Sequence, residues 1–224
     1  MIEKHDESET KYAHVLFDLD GTLTDSAEGV TRSVQYALKK FGINGGPEDL
    51  RSFIGPPLLE SFQNIYGFSE KEARKAIQHF REYYREKGIY ENRLYPHVPE
   101  MLQELTAKGS KLYLATSKMT NFAEIILHHF AIDSYFTFIA GATPDGSRVE
   151  KDDVISYLLS QNSNLDKSKT VMVGDRKHDV MGAARCGLDS IAVTYGYGSI
   201  EELQEEKPSY LAHSVPELKE LLLS

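Results

Sequence analysis

Strand-like segments alternate with helix-like segments in the second half of the chain, and this order limits the folds open to it. Strands are predicted over 111–116, 135–140, 170–174 and 190–194, and helices over 98–108, 121–130, 151–160 and 180–186. Two short helices are predicted to close the chain, and one more strand, 12–18, lies near the N-terminus. Strands linked by helices pair in parallel and are covered on both faces. We therefore predict an α/β fold built on a doubly wound parallel sheet.

The segment that follows the first strand differs, because it contains helical patterns and no convincing strand. Helices are predicted over 26–41, 57–66 and 69–87. The third begins with Ser69 and Glu72 in the capping-box spacing and ends at Gly88. We interpret this segment as an all-helical cap inserted into the α/β core. The predicted boundaries are 1–25 and 92–224 for the core and 26–91 for the cap.

Charge and composition exclude several classes of protein. The 224 residues carry a net charge of −9, and a nucleic-acid or anionic-membrane binder needs a basic surface instead. No apolar run approaches the ~20 residues that span a bilayer, and no apolar signal core is present at the N-terminus. The single cysteine, Cys186, fits a reducing compartment. We expect a cytoplasmic protein, monomeric or homodimeric, with no nucleic-acid or membrane partner.

The stretch HVLFDLDGTLTDS places Asp18 and Asp20 directly after the first predicted strand. Residues i and i+2 of an extended segment point to the same side, so the two carboxylates repel each other. A cation, a shared proton or both would compensate this repulsion. Gly21 allows a sharp turn, whose free amides would form an anion-binding nest.

Other strands also end in polar residues, namely Thr116 with Ser117 and, later, Asp175. The carboxyl ends of parallel strands form the ligand-binding edge of an open sheet, so these residues are expected to converge with Asp18 and Asp20. Lys151, at the start of a predicted helix, would join them. Carboxylates suit Mg²⁺, while Thr116 and Lys151 suit phosphate oxygens.

Four segments, DLDGT, LYLATS, Lys151 and GDRKHD, resemble in order and spacing the motifs of the haloacid dehalogenase superfamily. The similarity covers roughly residues 15–194 and is closest to the phosphoglycolate-phosphatase-like branch, in which a helical cap follows the first motif. Two positions depart from the commonest pattern, because Arg176 stands where serine is frequent and no proline follows Lys151.

The resemblance implies a role for each matching residue. Asp18 would be the nucleophile and Asp20 the general acid and base. Mg²⁺ would bind to Asp18, to the main-chain carbonyl of Asp20 and to Asp175, with Asp179 orienting a metal-bound water or Lys151. The expected phosphate-binding residues are Gly21, Thr22, Thr116, Ser117 and Lys151, of which Thr116 and Lys151 also serve catalysis.

The cap segment FIGPPL, residues 53–58, has two open interpretations: a turn between helices, or a wall of the catalytic pocket as the resemblance implies. Arg51 is a candidate contact for a substrate anion. His97, His128, His129 and His178 show no metal-ligand spacing and are interpreted as structural or surface residues. Gly196 and Gly198 in YGYGS do not form a dinucleotide fingerprint.

The expected function is hydrolysis of a small phosphorylated metabolite by a Mg²⁺-dependent phosphatase. The substrate would be phosphoglycolate, a 5′-nucleotide or another phosphomonoester. One alternative is a sugar phosphomutase of the same superfamily, although no cap group that couples closure to proton transfer is identifiable. Another is a non-catalytic binding module on the same fold. That alternative predicts the loss of a nucleophile or metal ligand, whereas Asp18, Asp20, Lys151 and Asp175 are all present.

Overall fold

A six-stranded parallel sheet forms the centre of the protein. The structure, a computed structural model, describes residues 10–44 and 48–224. The strands lie in the order β5-β4-β1-β6-β7-β8. Their bounds are β1 His14–Phe17, β4 Lys111–Met119, β5 Phe136–Ala142, β6 Thr170–Gly174, β7 Asp189–Val193 and β8 Tyr210–Ala212. The sheet confirms the predicted α/β fold.

Apolar side chains alternate between the two faces of the sheet, and helices cover both. Val15 and Phe17 of β1 join one buried cluster, whereas Leu16 joins the other. The first cluster includes residues of the helices α4 Val98–Ala107, α5 Thr120–His129 and α9 Val215–Leu223. The second includes residues of α6 Lys151–Gln161 and α7 Lys177–Cys186. This two-sided burial is the physical reason for the near-continuous apolar strands.

The order in which successive strands are added to the sheet reverses at β1. Strands β4 and β5 lie on one side of β1, and β6, β7 and β8 lie on the other. Phe17 at the end of β1 pairs with Leu114 of β4 and with Val173 of β6. Such a switch point leaves a crevice at the carboxyl ends of the strands, which is where open α/β sheets bind ligands.

Helices dominate the segment between β1 and β4. They are α1 Ala27–Lys39, a 3₁₀ helix Glu48–Phe53, α2 Leu58–Tyr66 and α3 Glu70–Tyr83, which continues as a π-helical turn Tyr84–Gly88. The capping box predicted at Ser69 and Glu72 is present at the start of α3. Two short strands, β2 Thr24–Asp25 and β3 Arg93–Leu94, pair antiparallel where the chain enters and leaves this helical segment. The division into a cap, 26–91, and a core stays a prediction, and the strand pair lies next to both of its boundaries.

Three features of the sheet and helices differ from the prediction. Strand β4 continues to Met119 instead of ending at Thr116, and α7 begins at Lys177 instead of Val180. The sequence analysis also missed β8, a strand of only three residues between the two last helices. No helix in the part of the chain that the structure describes combines the length and apolar character needed to cross a bilayer.

Candidate active site

Lys151 connects two of the predicted site carboxylates. Its Nζ atom lies 2.8 Å from Oδ1 of Asp18 and 2.7 Å from Oδ1 of Asp179. It also donates to the carbonyl of Ala115, across 3.0 Å. All of these charged side chains are buried. Residues that are 133 positions apart in sequence thus meet at the switch point, as predicted.

Asp175 completes an acidic cluster with Asp18 and Asp179. One carboxylate oxygen from each of the three lies within 4.8 Å of the others. Burial and the charges of Asp179 and Asp18 raise the pKa of Asp175 well above its usual range. Burial also raises the pKa of Asp179, to about 6, while Lys151 opposes that rise.

This cluster fits a divalent metal ion. Three buried carboxylates share one ammonium, Lys151, so negative charge is in excess there. Oxygen donors of this kind match the preference of Mg²⁺. A cation would also offset the repulsion that raises the pKa of Asp175. The Asp20 side chain does not belong to this cluster, and binding through its main-chain carbonyl stays a prediction.

Asp20 pairs instead with Lys118, which the longer β4 carries past Thr116. Lys118 Nζ lies 2.8 Å from Oδ2 of Asp20 and donates to the hydroxyl of Tyr84, across 2.6 Å. The other oxygen of Asp20, Oδ1, is buried and has no hydrogen-bond partner among the described residues. Asp18 and Asp20 therefore lie in different environments, since each carboxylate has its own lysine.

The turn after β1 does not leave the free amides that the sequence analysis expected. The amide of Gly21 donates to the carbonyl of Thr24 across 2.7 Å, and that of Thr22 donates to the carbonyl of Leu19 across 3.3 Å. The Thr22 hydroxyl is buried and donates to Oδ1 of Asp175 across 3.4 Å. The amides of Gly21 and Thr22 are therefore not free to form the expected nest, because they donate within the turn itself. Gly21, with φ +88°, lies against the carboxylate of Asp175.

A cavity of about 490 Å³ opens above the carboxylates. From the core it is lined by the residues Asp18, Asp20, Thr116, Ser117, Lys118, Lys151, Arg176, His178 and Asp179. From the helical segment it is lined mainly by residues 53–58 and by Arg74, Phe80, Arg81 and Tyr84. Of the two interpretations of FIGPPL, the pocket wall is the one that the structure favours. His178 also faces the cavity, although the sequence analysis assigned it a structural or surface position.

Arg51 is the predicted site residue that lies elsewhere. Its side chain is exposed and lines a separate depression with Arg32, Glu91 and Arg93, near the β2–β3 pair. The 3₁₀ helix that carries Arg51 turns it away from the loop 53–58, so it does not contact the cavity described above.

The order of these residues along the chain matches a known family model. The model is that of the haloacid dehalogenase-like hydrolases, and it matches residues 15–193. The chain belongs to this family. The proteins to which it is similar include phosphatases. The predicted enzyme class, a phosphatase that acts on phosphoric monoesters, is therefore confirmed.

The chain is also similar to three individual proteins. A 5′-nucleotidase of Pseudomonas aeruginosa is 45% identical, over 96% of this chain and 97% of the relative. The tyrosine-protein kinase PtkA of Mycobacterium tuberculosis is 41% identical, over 93% of this chain and 72% of the relative. A crystal structure of a predicted phosphatase from Clostridium acetobutylicum superposes with a TM-score of 0.90 at 46% identity, covering 93% and 97% of the two chains.

Sequence reasoning missed three contributors to this hydrolase site. Lys118 was not predicted as a site residue, although its position two residues after Thr116 puts it on the same sheet edge. Arg176 was noted as a departure from serine, without a partner. Tyr197, whose main-chain amide donates to Oδ2 of Asp175 across 2.7 Å, was not predicted as a site residue either. Of these three, only Arg176 gave a usable signal, since a large cation had replaced a small hydroxyl.

Proposed function

We propose that this protein is a Mg²⁺-dependent phosphatase that hydrolyses 5′-nucleotides through an aspartyl-phosphate intermediate. The observation that carries the proposal is the pairing of Asp18 with Lys151 and of Asp20 with Lys118, 2.8 Å in each case, at the floor of one cavity. Two neighbouring carboxylates with separate cationic partners can take separate roles in a reaction.

Asp18 is the nucleophile in this proposal. Its carboxylate attacks phosphorus, so that an Asp18 oxygen–phosphorus bond forms and the bond to the ester oxygen breaks. Lys151 fixes the orientation of the Asp18 carboxylate by binding Oδ1. Lys151 and Thr116, both on the cavity wall, would neutralise charge on the phosphate oxygens as the transfer proceeds.

Asp20 moves the proton. In the first step it protonates the ester oxygen that leaves, and in the second it takes a proton from the water that hydrolyses the aspartyl phosphate. The second step returns Asp18 as a free carboxylate and releases inorganic phosphate. Asp20 lines the cavity, so its carboxyl group lies next to the space that the phosphate would occupy.

Asp18, Asp175 and Asp179 are the residues that would hold Mg²⁺. The ion would supply positive charge to stabilise the phosphoryl group during transfer. Asp179 has two further contacts in this arrangement, because its Oδ2 accepts from the amide of Arg176 across 3.0 Å and its Oδ1 binds Lys151. These contacts fix the carboxylate in the first turn of α7, where the helix dipole favours negative charge.

The size and lining of the cavity support a 5′-nucleotide over phosphoglycolate. A volume of about 490 Å³ lies within the range of about 300–1,000 Å³ that suits drug-sized ligands. Pro56, Pro57 and Leu58 are partly exposed and add apolar surface to this wall, against which a base can pack. Phosphoglycolate has no apolar group to occupy that surface. The similarity to a 5′-nucleotidase supports the same choice.

The test begins with the full-length protein and p-nitrophenyl phosphate, in Mg²⁺, in EDTA and as the Asp18→Asn variant. EDTA and the variant should each remove turnover, with a loss of roughly 10⁴-fold or more for the missing nucleophile. Acid-quenched enzyme should carry a phosphoryl group that hydroxylamine releases, as an acyl phosphate does. Full turnover in EDTA or by Asp18→Asn contradicts the mechanism.

A substrate panel then tests the specificity. Nucleoside 5′-monophosphates should exceed phosphoglycolate in kcat/KM by at least about tenfold, which corresponds to ~1.4 kcal/mol of transition-state binding. Release of inorganic phosphate distinguishes hydrolysis from the phosphomutase alternative, in which an isomeric sugar phosphate forms instead. A preference for phosphoglycolate would overturn the nucleotide assignment and leave the aspartyl-phosphate chemistry intact.

A further inference from the structure

Arg176 of the core contacts the main chain of the cap segment FIGPPL. Its Nη1 atom donates a hydrogen bond to the carbonyl of Ile54, across 2.6 Å, between residues 122 positions apart in sequence. Ile54 is buried and belongs to the loop 53–58 that lines the cavity. Because the acceptor is a main-chain carbonyl, this contact holds the path of the loop regardless of the side chain at position 54.

Glu202 holds the other edge of the same guanidinium. Its Oε1 accepts from Nε of Arg176 across 3.0 Å, and its Oε2 accepts from Nη2 across 3.4 Å. Oε1 also accepts from the amide of Lys177, across 3.0 Å, so the carboxylate is itself fixed against the start of α7. A planar guanidinium held on two sides in this way has one orientation, with Nη1 directed at the loop.

The loop is built to lie close to this arginine. Gly55 packs on Arg176, and a Cβ atom there would lie 3.0 Å from Cγ and 3.2 Å from Nη1. Pro56 and Pro57 follow, and their rings limit the backbone of the rest of the wall. Fixing the carbonyl of Ile54 therefore fixes a stiff segment, whose far end, Leu58, begins α2.

We propose that Arg176 is a positioning residue that fastens the loop 53–58 to the core and so sets the part of the cavity that receives the substrate group beyond the phosphate. Glu202 orients Arg176 for this contact. The inference rests on the proposed function, because it takes the phosphate to bind at Asp18 under this loop. The arginine at position 176, where serine is frequent, would thus control substrate size and take no part in phosphoryl transfer.

The role predicts a dependence on substrate size. Loosening the loop removes contacts to a nucleoside and leaves contacts to a phosphoryl group intact. In Arg176→Ala, the KM of a nucleoside monophosphate should rise about tenfold, while kcat/KM for acetyl phosphate, a small substrate, should stay within about twofold. Arg176→Lys should recover only part of the loss, because an ammonium group cannot bind the Ile54 carbonyl and Glu202 at the same time as the planar guanidinium does. Glu202→Gln should give an intermediate KM, because the arginine stays but loses its charged partner.

Hydrogen–deuterium exchange of peptides that cover residues 48–62 gives a second measurement that needs no substrate. Exchange of these amides should accelerate several-fold in Arg176→Ala and Glu202→Gln. The matched control is Arg185→Ala, on the helix α7 that Arg176 precedes; the Arg185 guanidinium pairs with Asp152 and does not line the cavity. It should leave both the exchange and the KM unchanged.

Two outcomes overturn the proposal. Raised KM with unchanged exchange at 48–62 would mean that Arg176 binds the substrate directly. An equal loss of kcat/KM on the nucleotide and on acetyl phosphate would mean a general catalytic or folding defect. If Arg176→Ala does not fold, by circular dichroism, Glu202→Gln still decides the matter through its exchange. If the wild-type protein hydrolyses no nucleotide, the proposed function fails, whereas the exchange experiment still tests the contact to the loop.

Discussion

The main-chain amide of Tyr197 donates a hydrogen bond to Oδ2 of Asp175, across 2.7 Å. The hydroxyl of the same Tyr197 donates to Oδ1 of Asp25, across 2.8 Å, in the strand pair at the base of the helical segment. Asp25 also pairs with Arg93 of the returning strand. The segment YGYGS thus joins the acidic cluster to the two connections through which the chain enters and leaves its helical part.

Gly196 is required for this contact. A Cβ atom there would overlap the side chain of Asp175 and the carbonyl of Gly21. We expect Gly196→Ala to lower the free energy of unfolding by about 1–3 kcal/mol, as overpacking does, and to weaken Mg²⁺ binding. Urea denaturation and a Mg²⁺ titration measure the two effects.

The control for Gly196→Ala is Gly42→Ala. Gly42 has φ +73°, and a Cβ atom there would meet nothing within 4 Å. This variant carries only the strain of a left-handed alanine, about 1–2 kcal/mol, and should bind Mg²⁺ as the wild-type protein does. Equal Mg²⁺ affinity in both variants would show that Gly196 has no part in the metal site.

Mg²⁺ should stabilise the protein more at neutral pH than at acid pH. The pKa of Asp175 is raised in the folded state, so the metal-free folded protein binds more protons than the unfolded chain above pH ~4. Its stability therefore falls as pH rises toward the folded pKa, and protons compete with Mg²⁺ below that value. At 100 times its Kd, Mg²⁺ adds about 2.7 kcal/mol.

A thermal-shift titration from pH 5 to pH 7.5 checks this expectation. The gain in Tm should grow with pH and reach about 5–10 °C at the upper end, given about 2–4 °C per kcal/mol for a protein of this size. The Asp175→Asn variant should lose part of the pH dependence of the gain, because Asp179, whose pKa is raised to about 6, still titrates in this range. A shift in Tm that is equal at every pH would contradict the assignment of the buried carboxylates as ligands.

Lys118 and Tyr84 are expected to position Asp20. In Lys118→Met, the carboxylate of Asp20 loses its ion pair at 2.8 Å, and proton donation to the leaving oxygen should suffer. We expect kcat on a nucleoside monophosphate, whose alkoxide leaving group needs a proton, to fall roughly 10²-fold. The loss on p-nitrophenyl phosphate, whose leaving group needs little protonation, should be about tenfold smaller.

Tyr84→Phe removes the hydroxyl that accepts from Lys118 across 2.6 Å and should reproduce a weaker form of the same pattern. Tyr83→Phe is the neighbouring control, because the Tyr83 hydroxyl donates to Glu91 and does not line the cavity. If kcat falls equally on the two substrates in Lys118→Met, Lys118 acts on the phosphoryl group or on folding and not through Asp20.

Two arginines of the helical segment should behave differently. Arg81 lines the cavity, whereas the exposed Arg51 lies in the other depression. We expect Arg81→Ala to raise the KM of a nucleoside monophosphate about tenfold, the cost of one charge-assisted contact. Arg51→Ala should keep kcat/KM within about twofold. Steady-state kinetics of both variants settle the comparison, and a KM defect in Arg51→Ala alone would reverse the assignment.

The sequence by itself determined the architecture and indicated which polar residues would lie at one edge of the sheet. Short continuous apolar runs and helical stretches of period 3.6 are local signals, so β1, β6 and α3 could be predicted from adjacent residues. Asp18, Asp20 and Asp175 could be predicted because each follows a strand, and the ends of parallel strands converge for any sequence that forms such a sheet.

Only the tertiary structure decided which side chains meet. The turn at Gly21 and Thr22 satisfies its own amides, and Lys118 reaches Asp20 because β4 continues to Met119. The contacts of Arg176 with Ile54 and of Tyr197 with Asp175 and Asp25 join residues 122, 22 and 172 positions apart. Such contacts depend on how packed elements are placed against each other, and no local periodicity records that placement.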